Sequence, residues 1–198
     1  MRRKQCEIRK KEEIEKILKR ARIGRLATLG GDGFPYITPL NYVWHNGSVY
    51  FHCSHQGEKI DNIRRNPRVC FEVDIPLSYL GREYDRNRPA CAVHQFYHSV
   101  IIRGTAEFVE DIDEKTAALN ALVGSHEGEE SFAEIHPTTR EVGLCTVIAV
   151  RVERISGKSD LAQKMAPEDK EKVACYLARR NQPGDAEAAR LLMEGSDG

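Results

Sequence analysis

The residues whose types and spacing carry the most chemistry lie between positions 52 and 65. His52-Cys53-Ser54 is followed by Gly57-Glu58-Lys59 and then by Arg64 and Arg65. Ser54, Gly57 and Lys59 can present a hydroxyl, free backbone N–H groups and an ammonium to one phosphate, with two arginines one to two turns further on. Taken alone, the same run also describes a solvated basic helix face. His52 can serve as an acid, a stacking surface or a hydrogen-bond partner for a heteroaromatic ring, because neutral imidazole both donates and accepts. It is equally well read as a histidine satisfied by a neighbouring polar side chain. His52 with His55, and Cys91 with His94, invite a metal reading. On a strand, however, His52 and His55 point to opposite sides, and no second cluster has ligand spacing. Cys91 and His94 can pair as thiol and base, but no oxyanion or orienting motif stands beside them.

A hairpin must position these groups. Asn46-Gly47 lies between two β-rich runs and accepts the positive φ values of a type I′ turn. With a two-residue loop, counting outward predicts that His45 faces Ser48, Trp44 faces Val49, Tyr42 faces Phe51, Asn41 faces His52 and Pro39 faces Ser54. Alternation then gives one apolar face, Leu40, Tyr42, Trp44, Val49, Phe51 and Cys53. The other face is mixed, with Pro39, Asn41, Val43, Tyr50, His52 and Ser54. This mixed face, followed at once by the basic segment, suits a phosphorylated planar cofactor, and the face count adds Ser54 to its contacts.

The remaining elements frame that hairpin. Ile14, Ile17, Leu18 and Ala21 recur at helical spacing, supported by Glu12 with Lys16 and Glu15 with Lys19. Strands are expected over 23–29, 34–44, 48–53, 69–73, 96–109 and 145–155. Helices are expected over 57–65, stopped by Pro67, and over 113–122, with more after Gly157 near Pro167 and Asp185. Residues 75–95 lack a clean period and read as a long surface loop. Six strands joined mostly by hairpins suit a small antiparallel barrel, mainly β with N-terminal and C-terminal helices. Residues 1–160 form the barrel domain on this reading, and 161–198 a helical extension with a frayed end over 194–198.

The chain of 198 residues carries 30 basic and 30 acidic groups, which argues against general nucleic-acid or anionic-membrane binding. No apolar run is long enough to span a membrane, and the charged N-terminus lacks a signal-peptide pattern, so a cytoplasmic protein is expected. Six cysteines without a CxxC pair read as reduced thiols. There is no GxGxxG after a strand, no Walker loop, no GxSxG and no HExxH.

At this point the chain resembles the flavin-binding split barrels of the pyridoxamine 5′-phosphate oxidase superfamily. The blocks are Val49 to Ser54, Gly57-Glu58-Lys59, Ile63 and Asn66-Pro67-Arg68-Val69. The branch of nitroimidazole-resistance flavoproteins is similar again at Ala27-Thr28-Leu29, Phe34 to Leu40, Tyr50-Phe51-His52, Tyr97 to Ala106 and Ser156-Gly157-Lys158. The likeness covers about residues 10 to 160. It implies a six-stranded antiparallel split barrel that holds FMN at the interface of a homodimer. Carried over by position, Pro39, Leu40 and Asn41 border the isoalloxazine, His52 and Cys53 flank it, Lys59 meets the phosphate and Ser99 approaches from a later strand.

Two departures bear on activity. Glu58 replaces an arginine that the oxidases use for phosphate, leaving more to Lys59 with help from Arg64 or Lys158. The oxidases' C-terminal Arg-Leu-His-Asp-Arg type ending is missing, so pyridoxamine phosphate oxidation is not expected. What remains is an FMN-dependent oxidoreductase that takes electrons from NAD(P)H and passes them to a small acceptor such as a nitroaromatic, with His52 as the catalytic candidate. The alternative is a flavin-binding or haem-binding module without turnover of its own, with His52 or His94 as a haem ligand.

Overall fold

Tyr42 decides how the sheet is arranged. In the computed structural model, which describes residues 3–87, 89, 91, 93–127 and 132–194, the run expected as one strand over 34–44 is two strands. Strand β3 (Pro35–Asn41) pairs with β2 (Ile23–Leu29), while β4 (Val43–His45) pairs with β5 (Ser48–Cys53). Between them Tyr42 turns inward. Its hydroxyl donates to Leu18 O at 2.6 Å, and its ring meets Phe71 edge-on at 4.9 Å.

The chain divides into two compact units. The larger comprises Glu12–Val73 and Val100–Ser156. It contains α1 (Lys11–Arg20) from its second residue, β2 to β5, α2 (Glu58–Arg65), α3 (Ile112–Glu127) and α4 (Arg140–Leu144). Parts of three long strands, β6 (Arg68–Leu80), β7 (His94–Phe108) and β8 (Thr146–Asp160), complete it. The strand order is β3-β2-β6-β7-β8-β5-β4, and every pairing whose register is described is antiparallel. β3 and β4 stand at opposite ends of this order yet are separated in sequence only by Tyr42. Consecutive Cα atoms are about 3.8 Å apart, so the sheet must curl until its two ends meet. The result is a curled sheet consistent with the expected split barrel, and the run expected as one strand over 34–44 contributes two strands to it because of the break at Tyr42.

Asn46 and Gly47 have φ of 46° and 75°, and Val43↔Tyr50, Trp44↔Val49 and His45↔Ser48 pair as the hairpin count predicts. Beyond Val43 the count fails. Asn41 faces Ile23 and Pro39 faces Arg25, whereas His52 faces Val147 on β8. The mixed face is also drier than expected. Val43 and Tyr50 are buried with Ala118, Leu119 and Leu122 of α3 and with Val147 and Ala149 of β8.

The smaller unit comprises Met1–Lys11, Asp74–Ser99 and Gly157–Gly198. Here β1 (Glu7–Ile8) pairs with β8 through Glu7↔Lys158 and Ile8↔Gly157, and α5 (Pro167–Arg180) packs with α6 (Asp185–Glu194). Pro167 occupies the first turn of α5, where its missing N–H costs nothing. The loop expected over 75–95 is shorter than predicted, because β6 runs on through Pro76 to Leu80 and β7 begins at His94. Asp185 is fully buried and accepts hydrogen bonds from Ser78 Oγ (2.6 Å), Gln182 N (2.9 Å) and Arg180. Those bonds, the arginine first, hold its carboxyl down to about 2. The predicted frayed end, apart from Glu194, falls outside the described residues. Among the described residues no helix is long and apolar enough to cross a membrane.

Candidate functional site

Helix α2 brings the candidate groups of the larger unit together. Gly57 caps it at φ 124°, a conformation open to glycine, and both Ile60 N and Asp61 N donate to Gly57 O. In the turn before it, Ser54 Oγ accepts from Gln56 N at 3.3 Å. Two bonds fix the helix to β2. Asn62 Nδ2 donates to Thr28 Oγ1 (3.0 Å), and Arg65 Nη2 donates to Leu29 O (3.1 Å). Ile60 and Ile63 are buried, leaving Lys59 half-exposed with its Nζ 5.3 Å from the Phe51 ring centre.

The end of β5 separates the predicted residues onto two faces. Cys53 shares the face of Phe51 by alternation and feels the Lys59 charge. Burial raises its pKa, Lys59 pulls it down and Cys145 pushes it up, so at neutral pH it is a protonated thiol. His52 takes the other face, opposite Val147. Val147 lines a cleft of about 550 Å³ together with His55, Arg64, Phe108, Lys115 and Thr146. His55 Nε2 lies 2.8 Å from Leu144 O and Nδ1 lies 2.6 Å from Thr146 Oγ1. A carbonyl only accepts, so Nε2 carries the proton and Nδ1 accepts from the Thr146 hydroxyl. Sequence reasoning passed over this pair, whose members lie 91 positions apart. Arg64 is exposed, its guanidinium 5.6 Å over the Phe108 ring and 3.8 Å from Asp61.

Pro39 and Asn41 point outward from β3, and Leu40 is half-buried. β3 ends the strand order, a place where two prolines, Pro35 and Pro39, are tolerated. Their outward row continues through Ile37, which pairs with Ala27, and reaches Leu29 and Ile23 on β2. Ile37 is 61% exposed and Ile23 54%, and Phe34 beside them is 72% exposed, so this face of the larger unit is an apolar patch. The Arg25–Glu72 ion pair (2.9 Å) borders it.

Ser99 and Lys158 belong to the smaller unit. Ser99 is half-buried on β7. Lys158 spends its ammonium on Asp160 (2.9 Å) and the Tyr97 hydroxyl. His94 lies 3.3 Å from Asp160 Oδ1, so its polar neighbour is a carboxylate, while Cys91 is exposed.

Curled antiparallel barrels with this strand order and an α2 corner define a class of fold, and comparison places the chain within it. The sequence pattern of the pyridoxamine 5′-phosphate oxidase family matches residues 10–159, and the protein belongs to that family. A provisionally assigned 5-nitroimidazole antibiotic resistance protein from Bacteroides thetaiotaomicron is similar, with 26% identity over 77% of this chain and 86% of that one and a TM-score of 0.65. An FAD-binding protein from Mesorhizobium loti is 26% identical over 76% and 95% of the two chains, with a TM-score of 0.52. The flavocytochrome Anf3 from Azotobacter vinelandii shares the fold at 20% identity and a TM-score of 0.68, over 80% and 71%. No curated protein sequence matches the chain.

Proposed function

We propose that this protein is an FMN-dependent oxidoreductase that works as a homodimer, taking electrons from NAD(P)H and delivering them to a small acceptor such as a nitroaromatic. The observation that carries the reading is the α2 corner. One helix, bonded to Thr28 and Leu29 of β2, holds Lys59 against Phe51 of β5 and thereby joins a cation to the strand that carries Pro39 and Asn41. A single ammonium with the first-turn amides of α2 suits one phosphate. Glu58, in that same turn, opposes a second, which favours FMN over a dinucleotide flavin.

In this reading Lys59 binds the phosphate, and the outward residues Pro39 and Asn41 border the ring where the apolar face meets a second copy. His52 and Cys53, on opposite faces of β5, cannot both touch one side of the ring, so His52 is assigned the proton-handling role and Cys53 contributes packing. FMN, when bound, supplies the two-electron chemistry. Family membership supports a flavin, and the resemblance to a candidate 5-nitroimidazole resistance protein supports the acceptor class.

The test is an absorbance spectrum of the purified protein together with an FMN fluorescence-quenching titration and an assay of NADPH and NADH oxidation with a 5-nitroimidazole. Flavin absorbance, saturable quenching and acceptor-dependent oxidation are expected. Failure to bind FMN would remove the proposal, and binding without turnover would reduce it to a flavin-carrying module.

A further inference from the structure

A cleft of about 420 Å³ opens elsewhere in the larger unit, where α1, β4 and α3 come together. Its volume is in the range of small-molecule sites, roughly 300–1,000 Å³. Trp44 and Phe132 contribute aromatic surface, and Trp44 is only 8% exposed. Lys19 and Arg22 stand at the rim, both exposed, and the described lining residues include no carboxylate. Arg22 uses one donor on Ser125 O, and a guanidinium has five. A further observation points to an occupant. His126 lines the cleft, and its Nε2 is buried without a hydrogen-bond partner among the described residues. A buried ring nitrogen left unpaired is costly, and a ligand that supplies its partner removes that cost.

We propose that this cleft binds a small aromatic carboxylate, with the ring against Trp44 and Phe132, the carboxylate toward Lys19 and Arg22, and a polar atom of the ligand reaching His126 Nε2. The shape and charge favour this class over its neighbours. A neutral aromatic leaves the two cations unused, and an aliphatic acid forgoes the aromatic wall. The inference is independent of the flavin assignment, because none of its residues belongs to the α2 corner or to β3.

The protein carries a built-in probe, since Trp44 is its single tryptophan. The full-length protein, as purified, is titrated with sodium benzoate, benzamide and sodium acetate while tryptophan emission is recorded. Benzoate should change the emission saturably with a midpoint of about 1 mM or below, within reach of a ligand this small. Benzamide should be weaker by about tenfold or more, and acetate should give no saturable change. Arg22→Gln and Lys19→Gln, both at the exposed rim and compatible with folding, should each raise the benzoate midpoint about threefold to tenfold. His126→Phe should abolish the response, with circular dichroism confirming that it folds; if it does not fold, the rim variants decide. A non-saturable benzoate response, equal responses to benzamide, or rim variants that titrate like the parent would overturn the proposal. So would release of bound flavin by benzoate, which would place the acid in the cofactor's own site.

Discussion

Lys59 holds its ammonium 5.3 Å from the centre of the Phe51 ring, so a cation of α2 and an aromatic of β5 meet at the corner where the cofactor phosphate is proposed to bind. Lys59→Ala should weaken FMN binding by roughly 1.5–3 kcal/mol, the scale of a charge-assisted bond. Loss of the cation–π contact at this half-exposed site should cost only about 0.5–1 kcal/mol of stability. Quenching titrations and urea melts of the same variant separate the two effects, and an unchanged FMN affinity would refute the assigned role.

Ile37 occupies the centre of the outward row of β3, between the apolar stripe of β2 and the predicted ring-bordering residues. Ile37→Asp places a charge there without disturbing a buried contact. If this face joins two copies, light scattering should report a folded monomer that has lost most of its FMN. A dimer of unchanged mass would exclude the face as the interface.

Gly184 adopts φ 85°, and a Cβ at this position would run into the carbonyl of Leu77 on β6. The turn between α5 and α6 therefore needs glycine both for its backbone angle and for the close approach. Gly184→Ala should destabilise the smaller unit by roughly 2–4 kcal/mol, well above the median substitution. Hydrogen exchange at α5 and α6 would detect the loss. Protection equal to that of the parent would contradict it.

His94 supplies a pH dependence. Burial holds its pKa below the ordinary histidine value, with Arg3 and Lys158 pushing in the same direction and Asp160 opposing them. The unfolded chain therefore takes up a proton at this residue at higher pH than the folded protein does, so stability should fall as pH drops through about 6.5, the ordinary histidine value. His94→Gln should flatten that part of the profile. The comparison is of urea midpoints at pH 7.5 and 5.5, and equal slopes in parent and variant would remove His94 as the cause.

How much of this could be read from the sequence depended on how local the cause was. The strands over 23–29 and 48–53 and the Asn46-Gly47 turn follow from alternation and from two residues that tolerate positive φ, all within a few positions. The break at Tyr42 does not, because the residues on both sides of it have strand character and no glycine or proline marks the position. What pulls the tyrosine inward is the Leu18 carbonyl, 24 positions away. The start of the run 75–95 reads as loop for a similar reason. β6 continues past it, and Ser78 is buried against Asp185, a partner 107 positions later. Among the site residues, Lys59 and its turn were legible as a compact motif. The separation of His52 from Cys53 followed from alternation alone, but the link from His55 to Thr146 needed the β5–β8 pairing.

The pairing of β1 with Gly157 and Lys158 has a consequence for synthesis on the ribosome. The smaller unit is assembled from three separated pieces of chain, and the last begins at Gly157. Residues Glu7 and Ile8 are translated some 150 residues before their partners and must wait for them unpaired. The pairing of Glu7 and Ile8 therefore belongs to a late step of maturation, and a change that ties up these two residues will bear on that step more than on the earlier ones.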